Sequence, residues 1–411
     1  MKRKNIIFIP LTLLLLAAIS CNAHYYMPSN SRHVYTGLER FMGWRSGKYR
    51  NRQAVVITNH SGLDCNLNTT VELLRSRGII VRSVLAPEHG LHGYRNSYDD
   101  KISYQDRDNI TVYNLHKLDR HSLSMILIEG DFVIFDIQDM GMRCYTYVSN
   151  LKFIMDTLNG SDMELIVLDR PNPVGFLGIS GPFLEKKFRT KMVSAFPSPL
   201  LYDMTIGEAA RYYKGVYAKN VNLRIIKMKN YSRDMYFHET ELPWIPPSPN
   251  LPGYGSAIMY SAVVLMEGLN ISLGRGTTKP FEYIGAPWID PVIFCRDLSR
   301  LGLKNFRFRP VHFKPTFNKF EGEVCRGAHI LYTGGRFDPV EVSYRIIRHI
   351  KEKYPQAEWT TFNSSYDIDY LAGTDKFRKY IDRKLDYEQF TEKTRGTVKW
   401  FKKKRRKYLL Y

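Results

Sequence analysis

Cysteine is scarce and scattered in this sequence. Of five in 411 residues, Cys65, Cys144, Cys295 and Cys325 stand far apart with no CxxC among them. A disulfide framework and a zinc-knuckle spacing are therefore not indicated, and buried free thiols are the expected state. No GxSxG elbow occurs, which leaves a hydrolase-type serine nucleophile without support. No Walker-type loop is present. Gly253-x-Gly255 lies in a proline-rich stretch rather than at a strand-to-helix turn, so dinucleotide binding gains nothing from it. No HExxH occurs either; His89 and His92, with His60 upstream, flank Gly90 in a loop and make a poor tetrahedral frame. Neither a metal nor a cofactor is expected, and no internal repeat or low-complexity segment is visible.

Negative charge is also short: 40 acidic against 60 basic residues give a formal charge of +20. Part of the excess is the run Lys402–Lys407, beside Trp400, Phe401 and Tyr408. Such a run reads as a solvated tail, or as one drawn to anionic membrane or wall polymer; nucleic acid is not an expected partner. The other end of the chain explains why. Met1–Lys4 is basic, and Ile6–Ile19 is an apolar run of secretory-signal length, too short for a membrane span. It ends in "AAISC", which resembles a lipoprotein signal with Cys21 as the lipidated residue. The expected protein is exported, held by a lipid anchor at the periplasmic or outer face of the cell membrane or outer membrane.

After residues 1–21, a tether and first helix are expected over 22–50. A Rossmann-like domain is then expected over 51–295 and a smaller α+β domain over 296–411. The runs "QAVVITNHSG", "IIVRSVLAPEHG", "DFVIFDIQDMG" and "MELIVLDRPNP" predict buried strands; "TTVELLRSRG" and "YTYVSNLKFIMDTLNG" predict helices between them. That alternation predicts an α/β fold, a parallel sheet covered by helices. Each strand ends in polar residues: Asn59 and His60, Glu88 and His89, Asp136 with Gln138 and Asp139, Asp169 with Arg170 and Asn172. In open α/β sheets ligands bind at the carboxyl edge, so these clusters are expected to meet at one site. Further on, "LPWIPPSPNLPGYG" carries Asn250. "MEGLNISLGRGTTKPFEYIGAPWID" carries Glu267, Arg275, Thr277, Thr278 and Glu282 among glycines, the usual setting of ligand loops.

Carboxylates are the strongest chemical candidates. Glu88, at the end of an apolar strand, suits proton donation, and glycoside hydrolysis pairs such an acid with a second carboxylate. Asp106 is the expected partner, with Asp136, Asp139 and Asp169 as competitors. Arg143, Arg170 and Arg275 suit an anionic or polyhydroxylated ligand, and Tyr145 is one of several flat faces available to a sugar ring.

The motifs "ITNHSG", "APEHGLHG", "FDIQDMGMRCYTYVSNL", "LDRPNPVG", "LPWIPPSPNLP", "MEGLNISLGRGTTKPFEYIGAPWID" and "GEVCRG", in this order, resemble the DUF1343 family over roughly residues 50 to 375. The resemblance implies a Rossmann-like domain with a smaller C-terminal domain. It also implies exo-acting β-N-acetylmuramidase activity on the non-reducing end of peptidoglycan fragments, with Glu88 as the catalytic glutamate. By the same resemblance the second carboxylate falls before the strand "TVYNL", at Asp106 or Asp108. Aspartate there is one methylene shorter than the family's glutamate, and His92 and Phe176 also depart from the pattern. The alternative is a non-catalytic lipoprotein on the same scaffold that binds muropeptides or other glycans.

Overall fold

A computed structural model describes residues 33–44, 46–95 and 101–411. The signal-like segment, Cys21 and most of the expected tether lie outside the described residues. The central sheet contains β1 (Gln53–Thr58), β2 (Ile80–Ala86), β3 (Ser103–Gln105), β4 (Thr111–Asn114), β5 (Phe132–Asp136), β6 (Glu164–Leu168) and β7 (Asn222–Ile226). Their order is β3-β4-β2-β1-β5-β6-β7. Every neighbouring pair is parallel except β3 with β4. All four expected strands and both expected helices form. The chain leaves β1 first toward β2 and later toward β5, which makes the β1/β5 boundary the switch point where such sheets bind ligands.

Period-two alternation buries both faces. From β1, Ala54 and Val56 pack with Leu38, Phe41 and Leu74 of α1 (Gly37–Trp44) and α2 (Thr70–Ser76). Val55 and Ile57 face the other way, toward Leu123, Leu151 and Ala209 of α3 (Arg120–Leu127), α4 (Thr146–Leu158) and α5 (Ile206–Val216). Local sequence fixes where the helices begin. Thr69 and Thr205 each form a capping box with the glutamate three residues on, Glu72 and Glu208.

Beyond the central sheet, α6 (Tyr254–Val263) is small or apolar along nearly its whole length and buried against α8 (Pro339–Lys353). A separate antiparallel sheet orders β8 (Tyr283–Ala286), β10 (Cys325–Tyr332) and β9 (Phe306–Phe313), with α7 (Pro291–Ser299) packed on it. A two-residue hairpin, β11 (Thr361–Phe362) with β12 (Ser365–Tyr366), leads into α9 (Asp367–Ala372), α10 (Lys376–Asp382) and α11 (Tyr387–Arg405). No described helix is long and apolar enough to cross a membrane. The four described cysteines are free; Cys144, Cys295 and Cys325 are buried as expected, but Cys65 is only partly so.

The basic run is solvated at Lys402, Lys403, Arg406 and Lys407 but is not loose. It is the end of α11, and its aromatics anchor it. Arg405 is buried, with its guanidinium on the Asp203 carboxylate. Tyr408 stands edge-on to Tyr212. The last residue, Tyr411, donates its hydroxyl to Asp169 Oδ2 at 2.8 Å, while its carbonyl accepts from Arg233 at 3.0 Å. Leu410 N–H donates to Glu208 Oε1 at 2.6 Å. Deleting Leu409–Tyr411 strips partners from two buried carboxylates, Asp169 and Glu208, and from the partly buried Arg233, and is expected to cost about 2–4 kcal/mol. Thermal unfolding of the truncated chain checks this; an unchanged Tm contradicts the anchoring role.

Candidate functional site

Glu88 follows β2 in a tight loop where His89 (φ +73°) and Gly90 (φ +76°) both take left-handed backbone. The loop is held at several points. His89 Nδ1 lies 2.7 Å from Arg95 O, and His60 N–H donates to Leu91 O at 2.7 Å. A Cβ on Gly93 would meet the His60 ring at 2.0 Å, so only glycine lets the two loops close. His60 Nε2 in turn lies 2.6 Å from Pro246 O, pinning the proline-rich loop. Burial lowers the His60 pKa, which keeps this ring neutral.

The Glu88 carboxyl is aimed by the first turn of α4. Thr146 Oγ1 donates to Glu88 Oε2 at 2.7 Å. Around it opens a cleft of about 780 Å³, between the carboxyl edge of the sheet and the loops that follow α6. His89, Tyr145, Asn250, Glu267 and Arg275 line it with Glu88, as do Cys144, Thr146, Ser248, Tyr260 and Phe281. Glu267 and Arg275 form an ion pair at 2.9 Å, with the guanidinium over the Phe281 ring at 5.2 Å. Burial alone would lower the Arg275 pKa; Glu267 foremost, and Glu88 among lesser contributors, outweigh it and raise it. Tyr145 stands edge-on to Tyr147 and Tyr260, and burial pushes its hydroxyl pKa well up. The cleft thus offers two carboxyl groups, one guanidinium, neutral hydroxyls and aromatic edges, a set suited to acid chemistry on a polyhydroxylated anion.

Six of the residues expected at a site therefore meet: Glu88, His89, Tyr145, Asn250, Glu267 and Arg275. The others do not reach this cleft. Asp106 sits in the turn between β3 and β4, where its carboxylate accepts from the Asp108 and Ile110 N–H groups at 2.9 and 2.8 Å. It shares a different hollow with Asn59 and His60. Asn59 is buried, accepting from Ser61 and donating to the Tyr147 hydroxyl at 2.9 Å. Gln138 braces Pro171 O and, with Arg170, borders a shallow hollow beside Ser61. Asn172 donates to Met204 O at 3.0 Å and receives Val174 N–H.

The charged strand-end residues turn inward and serve as struts. Asp136 holds Arg170 through two bonds, 2.5 Å to Nε and 2.9 Å to a terminal nitrogen, and accepts from Thr70 at 2.6 Å. Arg143 is fully buried without a carboxylate; its terminal nitrogens donate to the Tyr370 and Leu371 carbonyls, and burial draws its pKa down to about 10. Asp139 receives the Tyr202 hydroxyl and Gly141 N–H, while burial pushes its pKa up to about 6. Glu282 fastens Ser256 of α6 and pairs with Lys279. Thr277 closes a turn on Gly274 O, and Thr278 is exposed.

Asp169 receives Thr205 Oγ1, Gly207 N–H and the Tyr411 hydroxyl, and its pKa is pushed up to about 7 by burial and then by Glu208. Because the folded value lies above the unfolded one near 3.9, the folded state binds more protons between those limits. This group's contribution is therefore complete below about pH 4 and lost as pH rises through about 7. Asp169→Asn is destabilising overall but removes that slope. Denaturant unfolding between pH 4.5 and 8 is expected to show wild type losing stability relative to the variant; parallel curves contradict the assignment.

Thr146 is the functional residue that sequence reading missed. A threonine at the start of a helix reads as a cap, and only the return of β2 beside α4 makes it a carboxyl positioner.

The sequence relations agree with this geometry. Residues 54–254 match the family described as exo-beta-N-acetylmuramidase NamZ, N-terminal, and residues 258–411 match its C-terminal counterpart. The peptidoglycan beta-N-acetylmuramidase NamZ of Bacillus subtilis (strain 168) is 35% identical over 381 residues, covering 92% of this chain and 91% of that protein. A DUF1343 family protein of Bacteroides fragilis NCTC 9343, BF0371, superposes with a TM-score of 0.83 at 28% identity, covering 93% of this chain and 100% of the other. A second from the same organism, BF0379, gives 0.70 at 27% identity, covering 92% and 99%. Matched along nearly its whole described length in sequence and in fold, the chain belongs to the NamZ (DUF1343) family.

Proposed function

We propose that the protein is a glycoside hydrolase that releases terminal N-acetylmuramic acid from the non-reducing end of peptidoglycan fragments, with Glu88 as general acid. The observation that carries this reading is the cleft itself, where Glu88, held by Thr146, shares one cavity with Glu267 and Arg275. The Thr146 hydroxyl occupies Oε2, so Oε1 carries the proton to the glycosidic oxygen. Arg275 uses Nε toward Glu267 and retains further N–H donors for the lactyl carboxylate that distinguishes muramic acid. His89, Asn250 and the Tyr145 hydroxyl bind sugar hydroxyls. Tyr260 and Phe281 offer apolar edges to the ring. The signal-like segment and Cys21 support export and lipid anchoring, which bring the cleft to wall fragments.

Glu267 takes the second carboxylate's place at the anomeric carbon, alone or with the substrate's acetamido group, a known departure from the two-carboxylate scheme. Asp106 is engaged by backbone N–H groups in its hairpin turn. On a chromogenic muramic-acid glycoside, Glu267→Gln is expected to lower kcat/KM about 100-fold or more, and Asp106→Asn less than about threefold. The opposite ranking returns the role to Asp106.

A further inference from the structure

Away from the cleft, three metal-ligating side chains converge from three segments: His33 from the chain entry, Glu39 from α1 and Cys65 from the loop after β1. One ligand atom of each lies within 4.8 Å of the other two. His33 and Glu39 are each 1% exposed, and both imidazole nitrogens of His33 lack a hydrogen-bond partner. A buried imidazole left unpartnered is costly and calls for an explanation.

Glu39 points to one. Its Oε2 accepts from Thr36 N–H at 2.6 Å and Thr36 Oγ1 at 2.9 Å, which fixes the carboxylate. Its Oε1 is turned toward His33 Nε2 at 3.7 Å and Cys65 N–H at 3.3 Å. The His33–Glu39 separation is too long for a hydrogen bond. It lies within a few tenths of an ångström of the spacing of two ligands on one ion: tetrahedral zinc with nitrogen and oxygen bonds of about 2.0–2.2 Å sets those atoms about 3.3–3.5 Å apart.

We propose that His33 Nε2, Glu39 Oε1 and Cys65 Sγ hold a divalent cation of the zinc type, with water in the fourth position on the partly exposed Cys65 side. As the sulfur–metal bond forms, the thiol proton leaves to solvent. The carboxylate and the thiolate then balance the two charges of the ion, and the imidazole Nε2 gains a partner. The site ties the chain entry to α1 and to the loop that carries Asn59 and His60. Its role is that of a clasp, separate from the Glu88 cleft.

The full chain, stripped with chelator, is titrated with zinc alone and with cobalt(II) alone. One equivalent is expected to survive gel filtration. The cobalt form is expected to show near-ultraviolet thiolate-to-cobalt charge transfer, absent in Cys65→Ser. Zinc is expected to raise the wild-type Tm, with affinity at least about tenfold weaker in His33→Phe and Cys65→Ser. Failure of folded wild type to retain stoichiometric metal overturns the proposal, as does a thiolate–cobalt band that persists in Cys65→Ser. Should His33→Phe not fold, the wild-type and Cys65→Ser spectra still decide.

Discussion

Glu88→Gln is expected to lower kcat/KM for release of terminal muramic acid by about 100- to 10,000-fold, the range general acids supply. The substitution is nearly isosteric. The glutamine carbonyl oxygen still accepts the Thr146 hydroxyl, so the loop, its contacts to His60 and the rest of the cleft keep their geometry. Only the transferable proton is lost. Binding of a muramic-acid ligand is therefore expected to stay within about threefold of wild type and Tm within about 1 °C, as for substitutions that create neither a cavity nor an orphaned charge. A more activated leaving group, needing less protonation, is expected to recover part of the loss. Equal losses for good and poor leaving groups would assign Glu88 to binding instead.

Arg170→Met is expected to produce the largest loss of stability, about 3–5 kcal/mol, because it leaves Asp136 charged and unpaired inside the protein. Asp136 is 0% and Arg170 5% exposed, and their bonds link the end of β5 to the turn after β6, with a further bond from Arg170 to Leu63 O. Desolvating the pair was itself costly, so the predicted effect belongs to breaking it rather than to its net worth. The double variant Asp136→Leu/Arg170→Met is accordingly expected to recover much of the loss. Denaturant unfolding of the three variants measures this. A single variant as stable as wild type would mean that water reaches Asp136.

These two residues also show how far the sequence could be read. Hydrophobic runs such as "QAVVIT" and "DFVIFD" specified strands buried on both faces, and the polar groups after them marked the functional edge. Spacing does not say whether such a group faces the cleft or turns inward. Glu88 and Asp136 each follow an apolar run; one lines the cavity and the other is sealed beneath Arg170, a difference set by loops from distant parts of the chain. Asp106 lies outside the cleft for a related reason, since an aspartate four residues before the N–H it accepts is a turn former as well as a possible ligand. The C-terminal run is solvated at Lys402, Lys403, Arg406 and Lys407, as its charge implied, but charge alone did not show its anchoring. Lysines counted toward a solvated tail, whereas Phe401, Arg405, Tyr408 and Tyr411 hold it to α5 and its surroundings. Glu267 and Arg275 were legible as ligand-loop residues, but that they face Glu88 required the packing of α6 against the C-terminal helices.

One bond is broken and one group donates the proton, and product analysis on a defined muramyl-glucosamine disaccharide follows both most directly. Wild type is expected to release free N-acetylmuramic acid from the non-reducing end, while Glu88→Gln binds the disaccharide and leaves it intact. Binding by wild type with no released sugar would contradict the account and leave a glycan-binding protein in its place.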